Sequence, residues 1–334
     1  MLEHGGNLGA AIAAYGHDRG AWLDLSTGVN PRSFPAPAMP ADIWHRLPER
    51  EPQLHAAACS YYGVSQLLAV AGSQAAIQAL PRLRASSRVT IAAPVYAEHA
   101  YRWRQAGHLV REIPHAQVGA VVADSDVVVV CNPNNPTGAM VDAQRLLDWA
   151  AQLAERGGWL VVDEAFIDVD AGHSVARHAA ERPGLIVLRS LGKFFGLAGL
   201  RMGFVMAETP LLQRLDVETG PWGVTAAGQL IAHAALADEP WQQETRMRLQ
   251  GDGRRLRTLL AEYAIDASGS ALFQWWQDAR ADQFAHYMAL RAIWVRKFDR
   301  RAGAELPSIR LGLPPDESGW SRLQQALGDW VAST

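Results

Sequence analysis

Lys193 stands in Ser190-Leu191-Gly192-Lys193-Phe194-Phe195-Gly196, among small and apolar neighbours just past a run of strand length. An amine in such surroundings loses solvation, which lowers its pKa and favours the neutral, nucleophilic form. Addition to an aldehyde is the chemistry open to it. Ser190 and Arg201 sit where a strand-edge loop could gather a phosphate beside that aldehyde. The plainer alternative is a Gly-rich loop carrying an ordinary surface lysine.

Other segments offer complementary groups. Asp163 closes Val161-Val162-Asp163, the carboxyl end of a strand, which is where α/β sheets place ligands. A helix N-cap is its competing role. Gly72-Ser73-Gln74 lies between a strand and a helix, so backbone N–H groups and the Ser73 hydroxyl make a natural phosphate cradle, although an N-cap reads the same way. Cys131-Asn132-Pro133-Asn134-Asn135-Pro136-Thr137-Gly138 is a turn, and too particular to be only a turn. Near the C-terminus, Arg296 and Arg310 fall on neighbouring short strands and could grip a substrate with two anionic groups. Arg296 reads alternatively as a solvated charge.

These residues need a scaffold, and the apolar pattern supplies one. Leu67–Ala71, Val89–Ala93, Val127–Cys131, Trp159–Val162, Leu185–Leu188 and Gly203–Met206 read as buried strands. Helix-period stretches at Gln74–Leu80, Ala97–Ala106 and Asp142–Arg156 lie between several of them. The run Val127–Cys131 has no polar alternation, as expected of a strand covered on both faces. The expectation is an α/β fold: a three-layer α/β/α large domain with a mostly parallel sheet over residues 41–224. Residues 225–334 change character, with a long helix over Trp241–Tyr263, strand-like pieces at Ala271–Trp276, Ile293–Val295 and Ser308–Leu311, and a final helix over Asp316–Val331. They form a smaller α+β domain, joined by an arm and Pro-rich connector over residues 1–40.

With 31 basic against 34 acidic residues and no long run of either sign, neither nucleic acid nor an anionic membrane is expected as partner. The two cysteines, Cys59 and Cys131, exclude a disulfide framework. Apolar runs are too short to span a bilayer, so the cytosol is the expected compartment. No metal is expected.

The segment from Ser190 to Arg201, a Ser-x-x-Lys followed eight residues later by Arg, resembles the Schiff-base signature of the class I and II aminotransferases. The resemblance implies the aspartate-aminotransferase fold, pyridoxal phosphate as cofactor, and a homodimer. It implies that Lys193 carries the cofactor, that Ser190, Arg201 and the Gly72-Ser73-Gln74 cradle bind its phosphate, and that Tyr96 of Pro94-Val95-Tyr96 stacks on its ring. Asn135 would donate to the ring hydroxylate, Asp163 would pair with the pyridine nitrogen, and Arg310 would clamp the substrate α-carboxylate.

The N-terminal motifs His4-Gly5-Gly6-Asn7 and Asp24-Leu25-Ser26-Thr27-Gly28-Val29-Asn30-Pro31 are similar to those of L-threonine-O-3-phosphate decarboxylases of cobalamin biosynthesis. That resemblance runs over essentially the whole chain. It implies decarboxylation of threonine phosphate to aminopropanol phosphate. His4, Gly28, Asn135, Arg296 and Arg310 would then meet the substrate, with the allocation of phosphate and carboxylate between the arginines left open. Phe166 replaces a tyrosine usual in aminotransferases, Leu47 stands where relatives carry a tyrosine reaching the neighbouring subunit, and Gly28 stands in place of asparagine. The rival expectations are an aminotransferase resembling the histidinol-phosphate enzyme and a cofactor-binding protein that turns nothing over.

Overall fold

The computed structural model describes residues 5–300 and 302–333. It opens with α1 (Leu8–Tyr15) and the two-residue strand β1 (Leu23–Asp24). A stretch with little regular structure leads to α2 (Pro52–Tyr62), which begins on its own proline, where a missing N–H leaves nothing unpaired.

Seven strands then build the central sheet: β2 (Leu68–Val70), β3 (Arg88–Ala93), β4 (Leu109–Pro114), β5 (Val127–Cys131), β6 (Trp159–Asp163), β7 (Leu185–Ser190) and β8 (Gly203–Met206). Their spatial order is β2-β8-β7-β6-β5-β3-β4. All are parallel except β8, which is antiparallel to both β2 and β7. Helices α3 (Ser73–Ala79), α4 (Ala97–Gln105), α5 (Ala143–Ala154) and α6 (Thr209–Thr219) follow strands of this sheet. Val128 and Val130 enter one apolar cluster while Val127 and Val129 enter another. The unbroken apolar run therefore has the physical cause expected of it: both faces of the sheet are covered.

β4 goes beyond the expected strand set. It is an edge strand whose residues are exposed or half-buried, so Arg111 and Glu112 sit in it without disturbing the core. An edge strand needs no continuous apolar run, and this one offers none.

The remaining chain supplies α7 (Ala226–Ala237), α8 (Glu239–Glu262), β9 (Ser268–Ser270), β10 (Phe273–Gln277), α9 (Ala281–Ala289), β11 (Ile293–Trp294), β12 (Arg296–Phe298), β13 (Ser308–Gly312) and α10 (Glu317–Ser333). An antiparallel sheet runs β12-β13-β10-β9, and β11 pairs in parallel with β1. Of the apolar piece Ile293–Val295, Ile293 and Trp294 pair with β1, and Val295 links them to the second sheet, which begins at Arg296. Arg296 opens β12 rather than closing a strand, because the chain leaves the β1 pairing at Val295 and joins β13.

Candidate active site

The carboxyl ends of the central strands converge on one cavity, and β-sheet register explains how. Ser190 at the end of β7 pairs with Gly203 of β8, and Gly203 pairs with Val70 at the end of β2. Gly72-Ser73 and Arg201 are thereby brought beside Ser190. Space between them is tight: a Cβ on Gly72 would lie 2.8 Å from Arg201 Nη2, and one on Gly203 would lie 2.6 Å from the Ser73 nitrogen. Gly72 also has φ of +72°, a backbone region few side chains tolerate. Arg201 itself sits at φ 54°, with its Nη1 donating to the Ala198 carbonyl at 3.1 Å.

Asp163 ends β6 and lines the cavity while remaining buried. Its Oδ1 accepts the Ala165 N–H at 3.1 Å, and its Oδ2 lies 2.9 Å from His99 Nε2. Cys131, its register neighbour on β5, directs Sγ at the same Oδ2 at 3.8 Å. Those three side chains lie close enough to hold a metal ion, but a carboxylate with a hydrogen-bonded imidazole and a thiol whose pKa burial pushes up is equally a hydrogen-bonded support. His99 was not singled out from the sequence. It lies in the first turn of α4, three residues after Tyr96, which caps that helix, and the two rings meet edge to face at 6.2 Å.

Tyr96 lines the cavity and donates its hydroxyl to Gln74 Oε1 at 3.1 Å. Gln74 Nε2 in turn donates to the buried Glu98, which also accepts from Arg102. Burial, followed by Glu98 and Asp163, pushes the Tyr96 phenol up to about 12, so it stays protonated at neutral pH. The Gln74 side chain is therefore committed to holding Tyr96 in place.

Lys193 follows β7 in a loop and lines the cavity, with its ammonium 5.3 Å from the centroid of the Phe166 ring. Desolvation, then the charge of Arg310, pulls its pKa down to about 8, against a partial counter-effect from Asp163. Burial opposite an apolar ring is the environment the sequence suggested for a reactive amine.

Arg310 of β13 and Arg296 of β12 are direct register partners, and both line the cavity. Arg310 is only 6% exposed. Its Nη1 donates to Asn135 Oδ1 at 2.5 Å, its Nη2 to the Ser26 carbonyl at 2.8 Å, and its Nε has no partner among the described residues. No acidic side chain pairs with it among the described residues. A guanidinium can only donate, so Asn135 must offer its oxygen there and keeps its NH₂ for another acceptor. Gly28 also lines the cavity; a Cβ there would meet Phe273 at 2.8 Å and Phe166 at 3.0 Å. The edge-to-face pair Phe166–Phe273 thus fills the place a residue-28 side chain would need.

Every candidate residue from the sequence except His4 faces this one cavity; His4 lies outside the described residues, although Gly5 beside it is part of the lining. Phe298 is a further cavity residue that sequence reasoning did not find. Nothing in Arg296-Lys297-Phe298 marks it, since a single aromatic on a short strand is common.

The model of the family described as aminotransferase class I and II matches residues 41–313. A threonine-phosphate decarboxylase of Pseudomonas aeruginosa is 51% identical over 328 residues, covering 98% of this chain and 97% of the relative. Among solved structures, histidinol-phosphate aminotransferase from Sinorhizobium meliloti in complex with pyridoxal-5'-phosphate superposes with a TM-score of 0.82 at 23% identity, covering 99% of this chain and 96% of the other. The L-threonine-O-3-phosphate decarboxylase from Porphyromonas gingivalis gives a TM-score of 0.76 at 20% identity, covering 92% and 99%. At those identities the structural likenesses establish the fold. The chain belongs to the aminotransferase class I and II family, and its sequence groups there with the threonine-phosphate decarboxylases.

Proposed function

We propose that this protein is a pyridoxal-phosphate-dependent lyase that decarboxylates L-threonine O-3-phosphate, giving carbon dioxide and (R)-1-amino-2-propanol phosphate for cobalamin biosynthesis. The observation that carries this reading is the arginine pair. Arg296 and Arg310 stand opposite each other in register and line the same cavity as Lys193, which suits a substrate with both a carboxylate and a phosphate. Arginine forks bond two oxygens of either group at once.

The cavity's residues fit the cofactor. Ser73, Ser190 and Arg201 are a phosphate-type donor set, packed so closely that a Cβ at Gly72 would fill the space. Lys193 and the uncompensated Arg310 leave the cavity cationic, ready for an anionic group. When bound, pyridoxal phosphate supplies a sink for the electron pair left on the α-carbon as carbon dioxide departs. Asp163, held by His99, would keep the pyridine nitrogen protonated, and the Asn135 NH₂ would donate to the ring hydroxylate. Tyr96, fixed by Gln74, would lie against the ring. Arg296 and Arg310 divide the two substrate anions and so fix which bond at the α-carbon is oriented for cleavage. Phe166, with Phe273 packed edge to face behind it, excludes water beside Lys193, whose amine is poised to return a proton to the α-carbon.

Organisation and assembly belong to the same reading. We divide the chain into an arm over residues 1–40, a cofactor-binding domain over 41–224 and a small domain over 225–334, and place the protein in the cytosol as a homodimer. Support for the dimer comes from exposed apolar side chains at Leu47 (65%) and Trp222 (59%), bordering adjoining clefts that share Pro48 and Glu49. No helix among the described residues is long and apolar enough to cross a membrane.

Product analysis tests the reaction. Holoenzyme incubated with L-threonine O-3-phosphate should release carbon dioxide and the amine in equal amounts, without a 2-oxo acid. A 2-oxo acid would make the protein an aminotransferase, and no product at all would make it a binding protein.

A further inference from the structure

Lys193 lies in a loop past the end of β7, where no strand or helix ladder fixes its backbone. What fixes it is the segment over residues 30–34. The backbone N–H of Asn30 donates to the Lys193 carbonyl at 2.9 Å, and the N–H of Phe34 donates to the Phe195 carbonyl at 2.9 Å. Between them, the Asn30 side-chain NH₂ donates to the Phe194 carbonyl at 2.8 Å. Three consecutive carbonyls of the lysine loop are thus held from one side. Contact is close enough that Gly196, at φ +69°, has no room for a Cβ: it would lie 2.7 Å from Ser33 Cα and 2.8 Å from the Asn30 carbonyl oxygen.

Asn30 is itself 2% exposed, and both ends of its amide are used. Its Oδ1 accepts the Arg32 N–H at 3.0 Å and faces both terminal nitrogens of Arg248, on α8, at 3.4 Å. Only a side chain with a donor and an acceptor on one short stem satisfies both sides. Four residues before Asn30, the Ser26 carbonyl accepts Arg310 Nη2. One stretch of backbone therefore touches the substrate-side arginine at one end and the lysine loop at the other.

We propose that Asn30 is a positioning residue for Lys193: its side-chain NH₂ clamps the Phe194 carbonyl, next to the Lys193 carbonyl that its backbone N–H holds, so that the amine is presented to the cavity, and Arg248 braces the amide from behind. This rests on the reading of Lys193 as the point of cofactor attachment. Displacing a reacting group by about 1 Å costs on the order of 100-fold in rate, so a side-chain clamp one residue beyond the lysine should be felt in turnover rather than in substrate binding.

The test uses holoenzyme and two readouts: the pH titration of the visible absorbance of the lysine–cofactor adduct, and steady-state kinetics with threonine phosphate. For Asn30→Ala we expect the absorbance midpoint to move by about half a pH unit or more, and kcat to fall roughly 10- to 100-fold with KM nearly unchanged. An unchanged midpoint and kcat, even with a lower melting temperature, would make Asn30 merely structural and overturn the proposal. Should Asn30→Ala fail to fold, Arg248→Gln decides the matter. It should shift both readouts in the same direction by a smaller amount, and wild-type values for both would overturn the proposal. Absorbance needs no substrate, so a wild type that forms the adduct yet leaves threonine phosphate intact sinks the decarboxylase reading alone.

Discussion

His99 Nε2 lies 2.9 Å from Asp163 Oδ2, and both side chains are buried. The imidazole is the strongest support that carboxylate oxygen has, since the Cys131 thiol approaches it only to 3.8 Å. Replacing His99 by Leu leaves a buried acceptor short of its donor, which costs about 1–3 kcal/mol. Denaturant unfolding of His99→Leu should show a loss of that size, together with weaker cofactor binding by equilibrium dialysis. His99→Gln keeps an N–H donor and should recover much of both.

Lys193 gives a pH dependence of known sign. Folding lowers its pKa from an ordinary 10.5 to about 8, so between those values the unfolded chain binds more protons than the folded one. Stability therefore rises with pH across that window, and below it the buried ammonium is a full penalty. In cofactor-free protein, Lys193→Met should be more stable than wild type at pH 7, with the difference shrinking toward pH 10. Chemical unfolding at both pH values checks this; an equal difference at each would contradict it.

Arg310 is buried without an acidic partner among the described residues, which is the arrangement expected of a group awaiting an anion. Losing one partner of a buried ion pair costs about 3–5 kcal/mol. Arg310→Met should accordingly lower kcat/KM for threonine phosphate by roughly hundreds- to thousands-fold. The absorbance of bound cofactor should stay as in wild type, because Arg310 is assigned to the substrate.

Gly28 has no room for a side chain. A Cβ would press on the Phe273 and Phe166 rings at 2.8 and 3.0 Å, and overpacking of this kind costs about 1–3 kcal/mol. Gly28→Ala should lose stability by that order and lose activity as well. Trimming the neighbour in Gly28→Ala/Phe273→Leu should restore part of the stability, so the two changes will be non-additive in a double-mutant cycle.

The pattern of what the sequence disclosed follows from how local each signal is. Val127–Cys131 and Gly203–Met206 were readable to the residue because a strand covered on both faces leaves an uninterrupted apolar run. β4 escaped because an edge strand carries Arg111 and Glu112 without penalty. Lys193, Asp163, Asn135 and Ser190 were legible as motif residues, each at the end of a strand or in a loop that follows one. His99, Asn30 and Phe273 were not assigned roles, since each acts through a partner distant in the chain: Asp163, the Lys193 loop and Gly28. Pairing across 64 and 164 residues leaves no periodicity to read.

Covalent attachment at Lys193 is the claim on which the rest depends. Borohydride reduction of holoenzyme followed by peptide mass mapping measures it directly. The cofactor mass should appear on the peptide containing Lys193, and Lys193→Ala should carry no reducible adduct. Label on Lys297, or an adduct that survives in Lys193→Ala, would contradict the account.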